Sequence, residues 1–151
     1  MNLIPLSDFP QDDLSDKLEY LRKLRNSCRY FMTRHQEEIT AEQQKIWYNT
    51  LSGNVVPYVY ALDDSSLCGY GLIVYENNAA YLTAALEETN RGKGLGRKIF
   101  SDLIEIARKK VNKICLEVLE TNIIAVNLYK SLGFNQVKQN NNVIFLEMDV
   151  N

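Results

Sequence analysis

The sequence predicts an α+β fold, a central mixed β-sheet flanked by helices. Three observations predict it. The residues up to Leu51 carry helical spacing, the stretch from Val55 to Leu86 carries three β-branched and aromatic runs cut by turn residues, and the remainder alternates helix and strand signals.

A short strand opens the order. Leu14, Leu18, Leu21 and Cys28 then follow helical spacing behind acidic Asp12 and Asp13, which suits the positive end of a helix dipole. Thr40-Ala41-Glu42-Gln43 has the form of a capping box, in which the threonine hydroxyl takes the amide three residues on while the glutamine reaches back. Trp47 and Leu51 are expected on one face of the helix it starts. Strands are expected over Val55–Leu62, Leu67–Tyr75 and Ala79–Leu86, because Asp63-Asp64-Ser65-Ser66 and Glu76-Asn77-Asn78 are turn-forming runs between them. In the next helix Ile99, Phe100, Leu103, Ile104 and Ala107 form one apolar stripe, with Arg97, Lys98, Arg108 and Lys109 outside it. Ile114–Leu119 reads as a strand. A helix from about Ile124 to Leu132 stops at Gly133, a residue suited to the left-handed turn past a helix end. Val143–Met148 is a final strand, reached through Gln139-Asn140-Asn141-Asn142, read as a hairpin loop.

A chain of 151 residues with 46% hydrophobic content fills one core, so residues 1–151 are expected to form a single domain. The formal charge of −2 gives no general drive toward nucleic acid or an anionic membrane. Cys28, Cys68 and Cys115 are scattered among apolar neighbours, which points to reduced thiols, and with a lone histidine, His35, they assemble no metal ligand set. No stretch approaches the roughly 20 apolar residues needed to cross a bilayer, and the start lacks a signal-peptide pattern. A cytoplasmic protein, monomeric or homodimeric, without metal, nucleic-acid or membrane partners, is the expectation.

Arg91-Gly92-Lys93-Gly94-Leu95-Gly96 lies between a strand end and a helix start. Unpaired amides at a helix N-terminus attract anions, and glycines let a phosphate approach the backbone. A tight structural turn would use the same glycines. Walker chemistry would need a Lys-Ser/Thr after the glycine, and here Arg97-Lys98 follows. A dinucleotide fingerprint would need G-x-G-x-x-G in a parallel βαβ unit, whereas the spacing here is G-x-G-x-G behind a meander.

Arg91, Gly94 and Gly96 fill the R/Q-x-x-G-x-G/A signature of the GNAT N-acetyltransferases. Glu117-Val118 through Asn122, Ala125, Leu128-Tyr129 and Gly133-Phe134 resemble that superfamily's second motif. The two motifs cover about residues 79 to 138, in the family's order. The resemblance implies the acyl-coenzyme-A N-acyltransferase fold and direct transfer of an acetyl group from acetyl-coenzyme A to an amine. It places the coenzyme pyrophosphate on the amides of Arg91, Gly92, Lys93, Gly94, Leu95 and Gly96, with Arg97. The pantetheine arm would run along Ala84, Ala85 and Leu86, entering a V-shaped gap between that strand and the one carrying Glu117. Asn122 and Tyr129 would lie by the acetyl end, and Asn127 further along the arm.

Acetyl transfer needs a neutral amine, an oxyanion donor and a proton for the departing thiolate. Tyr129 is the candidate acid, because the family's tyrosine at that place points at the sulfur and a phenol of pKa about 10 keeps its proton at neutral pH. Glu117, inside an apolar strand, is the candidate base by the same resemblance. An ordinary outward-facing or structural glutamate is the alternative, with Glu87 and Glu88 in reserve. The oxyanion donor is expected near Leu86, and His35 is an acceptor-side candidate. Acceptor choice falls to the two N-terminal helices and their loop, where Arg25, Arg29 and Arg34 could meet a phosphorylated acceptor such as a nucleotide-linked amino sugar. Alternatives are a protein N-terminus or lysine as acceptor, or a non-catalytic acyl-coenzyme-A-binding module.

Overall fold

The computed structural model describes residues 2–151. β1 (Leu3–Pro5) leads through a 3-10 turn into α1 (Gln11–Ser27), which starts directly after Pro10 with Asp12 and Asp13 in its first turn. Proline cannot donate a helical hydrogen bond but sets the backbone angle for a helix start, and the acids complement the dipole. α2 (Ala41–Asn49) begins at the expected capping box: the Gln43 amide donates to Thr40 Oγ1 at 3.1 Å and the Thr40 amide to Gln43 Oε1 at 2.9 Å. The helix closes at Asn49, so Leu51 lies beyond it and shares no helical face with Trp47.

β2 (Val55–Ala61), β3 (Leu67–Glu76) and β4 (Ala79–Leu86) form the expected antiparallel meander. The β3–β4 turn uses Asn77 and Asn78 at φ 53° and 59°, a left-handed conformation that asparagine tolerates better than most residues. α3 (Leu95–Ala107), β5 (Lys113–Leu119) and α4 (Ile123–Ser131) follow. The chain ends in a hairpin of β6 (Asn135–Asn140) and β7 (Val143–Asp149). Gln139 and Asn140 were expected in a loop but belong to β6, whose six residues are all exposed. A solvated edge strand has no buried face to impose alternation, so its sequence reads as polar loop.

The strands lie in the order β1-β2-β3-β4-β5-β7-β6, and only β4 and β5 run parallel. α3 and α4 cover one face, where Ile99, Phe100, Leu103 and Val126 pack on Ile73, Leu82, Ile114 and Leu116. α1 packs on the other through Leu21, Leu24 and Cys28 against Val59 and Tyr70. The two-residue strand period divides β3 and β4 between these faces.

Candidate active site

β4 and β5 pair over three positions only, Ala79–Tyr81 with Lys113–Cys115, while β4 runs on to Leu86 and β5 to Leu119. Each stays bonded on its far side, β4 to β3 through Leu86 and β5 to β7 through Leu119. The sheet is therefore split in its middle, and two facing edges carry polar backbone groups with no partner strand. Gly69 of β3 stands opposite Leu86, and a Cβ there would lie 2.5 Å from the Ala85 carbonyl oxygen. Only a residue without a side chain lets the end of β4 come that near.

The loop after β4 turns into α3 through Gly92 and Gly94, at φ 75° and 78°, and Gly94 is the helix N-cap with no side chain capping it. The first-turn amides are thus left without intrahelical or side-chain acceptors. Arg91 bends back over the loop: its Nε donates to the Leu86 carbonyl at 3.3 Å, and its guanidinium lies against Cys28 Sγ and the Phe31 ring. Arg97 donates to Ser131 Oγ, tying the first turn of α3 to the end of α4. A Cβ on Gly96 would stand 3.4 Å from Leu128 Cδ2, so the two helices meet closely beside the split.

Tyr129 of α4 packs edge-on against Phe100, with ring centroids 4.9 Å apart, and against Phe134 at 6.4 Å. Burial pushes its phenol well above the ordinary tyrosine range, so the hydroxyl keeps its proton. Asn122 caps α4, its Oδ1 accepting from the Ala125 amide at 3.3 Å, and Asn127 is exposed on that helix. The capping bond supplies a structural reason for asparagine at position 122.

Glu117 lies on the opposite face of the sheet, 14% exposed, and its carboxylate is already engaged. Oε2 accepts from Thr33 Oγ1 and from Arg34 Nε, each at 3.0 Å, and Oε1 from Arg34 Nη2. The Arg34 hydrogen bond, opposed by desolvation and aided by Thr33, holds the carboxyl below the usual carboxylate range. A carboxylate so held is a weak base, and both its oxygens are taken.

Between α1, α2 and the β3–β4 surface is a cleft of about 370 Å³. Leu21, Met32, Ile39, Trp47, Tyr70 and Leu72 give it apolar and aromatic walls, and Arg25, His35, Gln43, Gln44 and Thr83 are its polar members. His35, the acceptor-side candidate of the sequence, is one of the residues that line this cleft. The arginines beside it are occupied: Arg25 donates to the carbonyls of Glu37 and His35, Arg29 to the Tyr30 hydroxyl, and Arg34 to Glu117. Glu88 is exposed, and Glu87 stands at the end of β4 with its amide bonded to the Cys68 carbonyl at 2.9 Å. The members from the two N-terminal helices and their loop lie where acceptor choice was expected, but Tyr70, Leu72 and Thr83 escaped sequence reasoning, because nothing in their order says that α1 and α2 leave them uncovered. Among the described residues no group of three or more His, Cys, Asp or Glu side chains could hold a metal. No helix among them is long and apolar enough to cross a membrane.

A seven-stranded sheet split between its parallel pair, with an uncapped glycine-rich helix start beside the split, defines the acyl-coenzyme-A N-acyltransferase fold. The chain belongs to the acetyltransferase (GNAT) family, whose sequence model matches residues 18–134, and it is an N-acetyltransferase. It is 29% identical over 133 residues to thialysine N-epsilon-acetyltransferase of Mus musculus, spanning 79% of this chain and 78% of the mouse enzyme. A domain from Methanocaldococcus jannaschii superposes with a TM-score of 0.80 at 21% identity, over 94% of this chain and 95% of that one. A phosphinothricin acetyltransferase from Sinorhizobium meliloti, solved with acetyl-coenzyme A, superposes at 0.78 with 14% identity, over 99% and 89% of the two chains. Enzymes of this family use acetyl-coenzyme A.

Proposed function

We propose that this N-acetyltransferase acetylates the primary amine of a small molecule. The observation that carries the reading is the cleft of about 370 Å³, the size of a small ligand, on the sheet beside the open edge of β4. Acetyl-coenzyme A would supply the activated acetyl group. Its pyrophosphate would be held by the amides from Arg91 to Arg97, and its arm would add to the edge at Ala84, Ala85 and Leu86, with Asn122 and Asn127 alongside. Tyr129 is the proton donor to the departing thiolate, supported by a phenol that burial keeps protonated.

Glu117 takes a different part from the base that its sequence position suggests. Its ion pair with Arg34 and its bond to Thr33 support an anchoring role, holding the α1–α2 loop beside the cleft. The amine then loses its proton to solvent or to another group. Engagement of Arg34 by Glu117 and of Arg29 by Tyr30 and Glu38 weakens the support those residues gave to a nucleotide-linked amino sugar and leaves Arg25 as the arginine that lines the cleft.

Coenzyme A release from purified protein, acetyl-coenzyme A and a panel of small amines, nucleotide-linked amino sugars and peptides tests the reading. Turnover of small amines is the expected result. Turnover of peptides alone would replace it with a protein acetyltransferase, and a thermal shift with acetyl-coenzyme A but no turnover would replace it with a binding module.

A further inference from the structure

We propose that the cleft selects an amine carried on an aromatic or branched aliphatic body and rejects acceptors with a second positive charge, with Arg25 setting that limit. This deepens the reading of the cleft as the acceptor site and rests on it.

The walls supply the first half of the argument. Leu21, Met32, Ile39, Trp47 and Leu72 offer apolar surface on several sides, so an apolar body gains by leaving water and a charged one loses. Charge supplies the second half. No aspartate or glutamate lines the cleft, and its fixed cation is Arg25. The Arg25 guanidinium donates to two backbone carbonyls, those of Glu37 and His35, and has no carboxylate partner among the described residues. Carbonyl dipoles orient that charge without cancelling it. A polyamine, which needs carboxylates for its distal ammonium groups, would set like charge against Arg25 in a cleft walled mostly by apolar side chains.

The same field helps the reaction. An alkylamine is protonated at neutral pH, with a pKa near 10, and only its neutral form attacks a thioester. An apolar cleft with an uncompensated cation favours the neutral form. Gln44 gives the cleft one buried polar group: it is 8% exposed and its Nε2 reaches the Leu18 carbonyl only at 3.5 Å. Its amide can therefore orient an amine without adding charge.

Trp47 is the single tryptophan of the chain and lines the cleft, so its fluorescence reports occupancy without any turnover. Titration with 2-phenylethylamine and with isoamylamine should give a saturable change, and spermidine should need at least about tenfold higher concentration. Arg25→Gln should narrow that ratio to within about threefold, while Arg25→Lys, which keeps the charge, should preserve it. Leu72→Ala, at a residue that takes no part in Arg25's hydrogen bonds, should weaken 2-phenylethylamine by about tenfold and leave spermidine unchanged. Spermidine saturating the signal at an equal or lower concentration overturns the proposal, as does an unchanged ratio in folded Arg25→Gln. If Arg25→Gln does not fold, the wild-type ratio and Leu72→Ala decide. A Trp47 response to the apolar amines without coenzyme A release from any amine would instead sink the acetyl-transfer reading of the cleft.

Discussion

Arg34 and Glu117, 83 positions apart, are joined by a two-pronged ion pair that fastens the α1–α2 loop to β5. If that pair anchors the loop and takes no proton, Glu117→Gln should lower kcat by less than about tenfold, whereas removing a general base costs about 10²–10⁴. The acceptor KM should rise in the same variant, because Met32, His35 and Ile39 of the loop border the cleft. A loss of kcat of about 100-fold or more with an unchanged acceptor KM would restore Glu117 as the base.

The pH dependence of that pair has a definite sign. The folded-state pKa of Glu117 lies below its ordinary 4.5, so its stabilising contribution is present above that value and is lost as pH falls through the lowered one. Arg34 is 78% exposed, which keeps the contribution to about 1 kcal/mol or less. The Tm difference between wild type and Arg34→Met should stay constant from neutral pH down to about 5 and shrink below it. A difference that grows with acidity would mean that Glu117 is not paired in solution.

Tyr129→Phe should keep acetyl-coenzyme A affinity and slow acetyl transfer by about 10²–10⁴, with kcat and kcat/KM falling together. The packing against Phe100 and Phe134 uses the ring and not the hydroxyl, so Tm should change little. Full kcat in a folded variant removes Tyr129 from the chemistry.

At Gly94 a Cβ meets nothing within 4 Å, yet the residue sits at φ 78°. Gly94→Val should therefore cost about 1–2 kcal/mol through the backbone and not through a clash. It should also weaken acetyl-coenzyme A by about tenfold or more, since re-aiming the first turn of α3 takes at least one charge-assisted hydrogen bond from the phosphates. Urea unfolding and calorimetric titration of one preparation separate the two effects, and unchanged affinity would move the coenzyme elsewhere.

Much of the fold was legible because local chemistry fixes it. The limits of β4 follow from Asn77-Asn78 and the glycine loop, and α2 begins where Thr40 and Gln43 cap each other. β6 was harder to read because an exposed edge strand has no buried face to imprint on Asn135–Asn140. At the site, the motif residues stand on the expected elements. The hold of Arg34 and Thr33 on Glu117 depends on a loop crossing the sheet, which no spacing along the chain encodes. Likewise, the turning inward of Arg25 depends on where the carbonyls of His35 and Glu37 come to rest.

Three residue pairs at one corner are all that stitch β4 to β5, which makes the sheet two plates sharing a short seam. Beyond Tyr81 and Cys115 the rungs of the ladder are left for a guest to provide. A molecule that bonds to both edges becomes a temporary eighth strand, and amide exchange from Leu82 to Leu86 and from Leu116 to Leu119 should slow together when it arrives. The protein's rigidity is then partly on loan from its ligand, and is returned at each turnover.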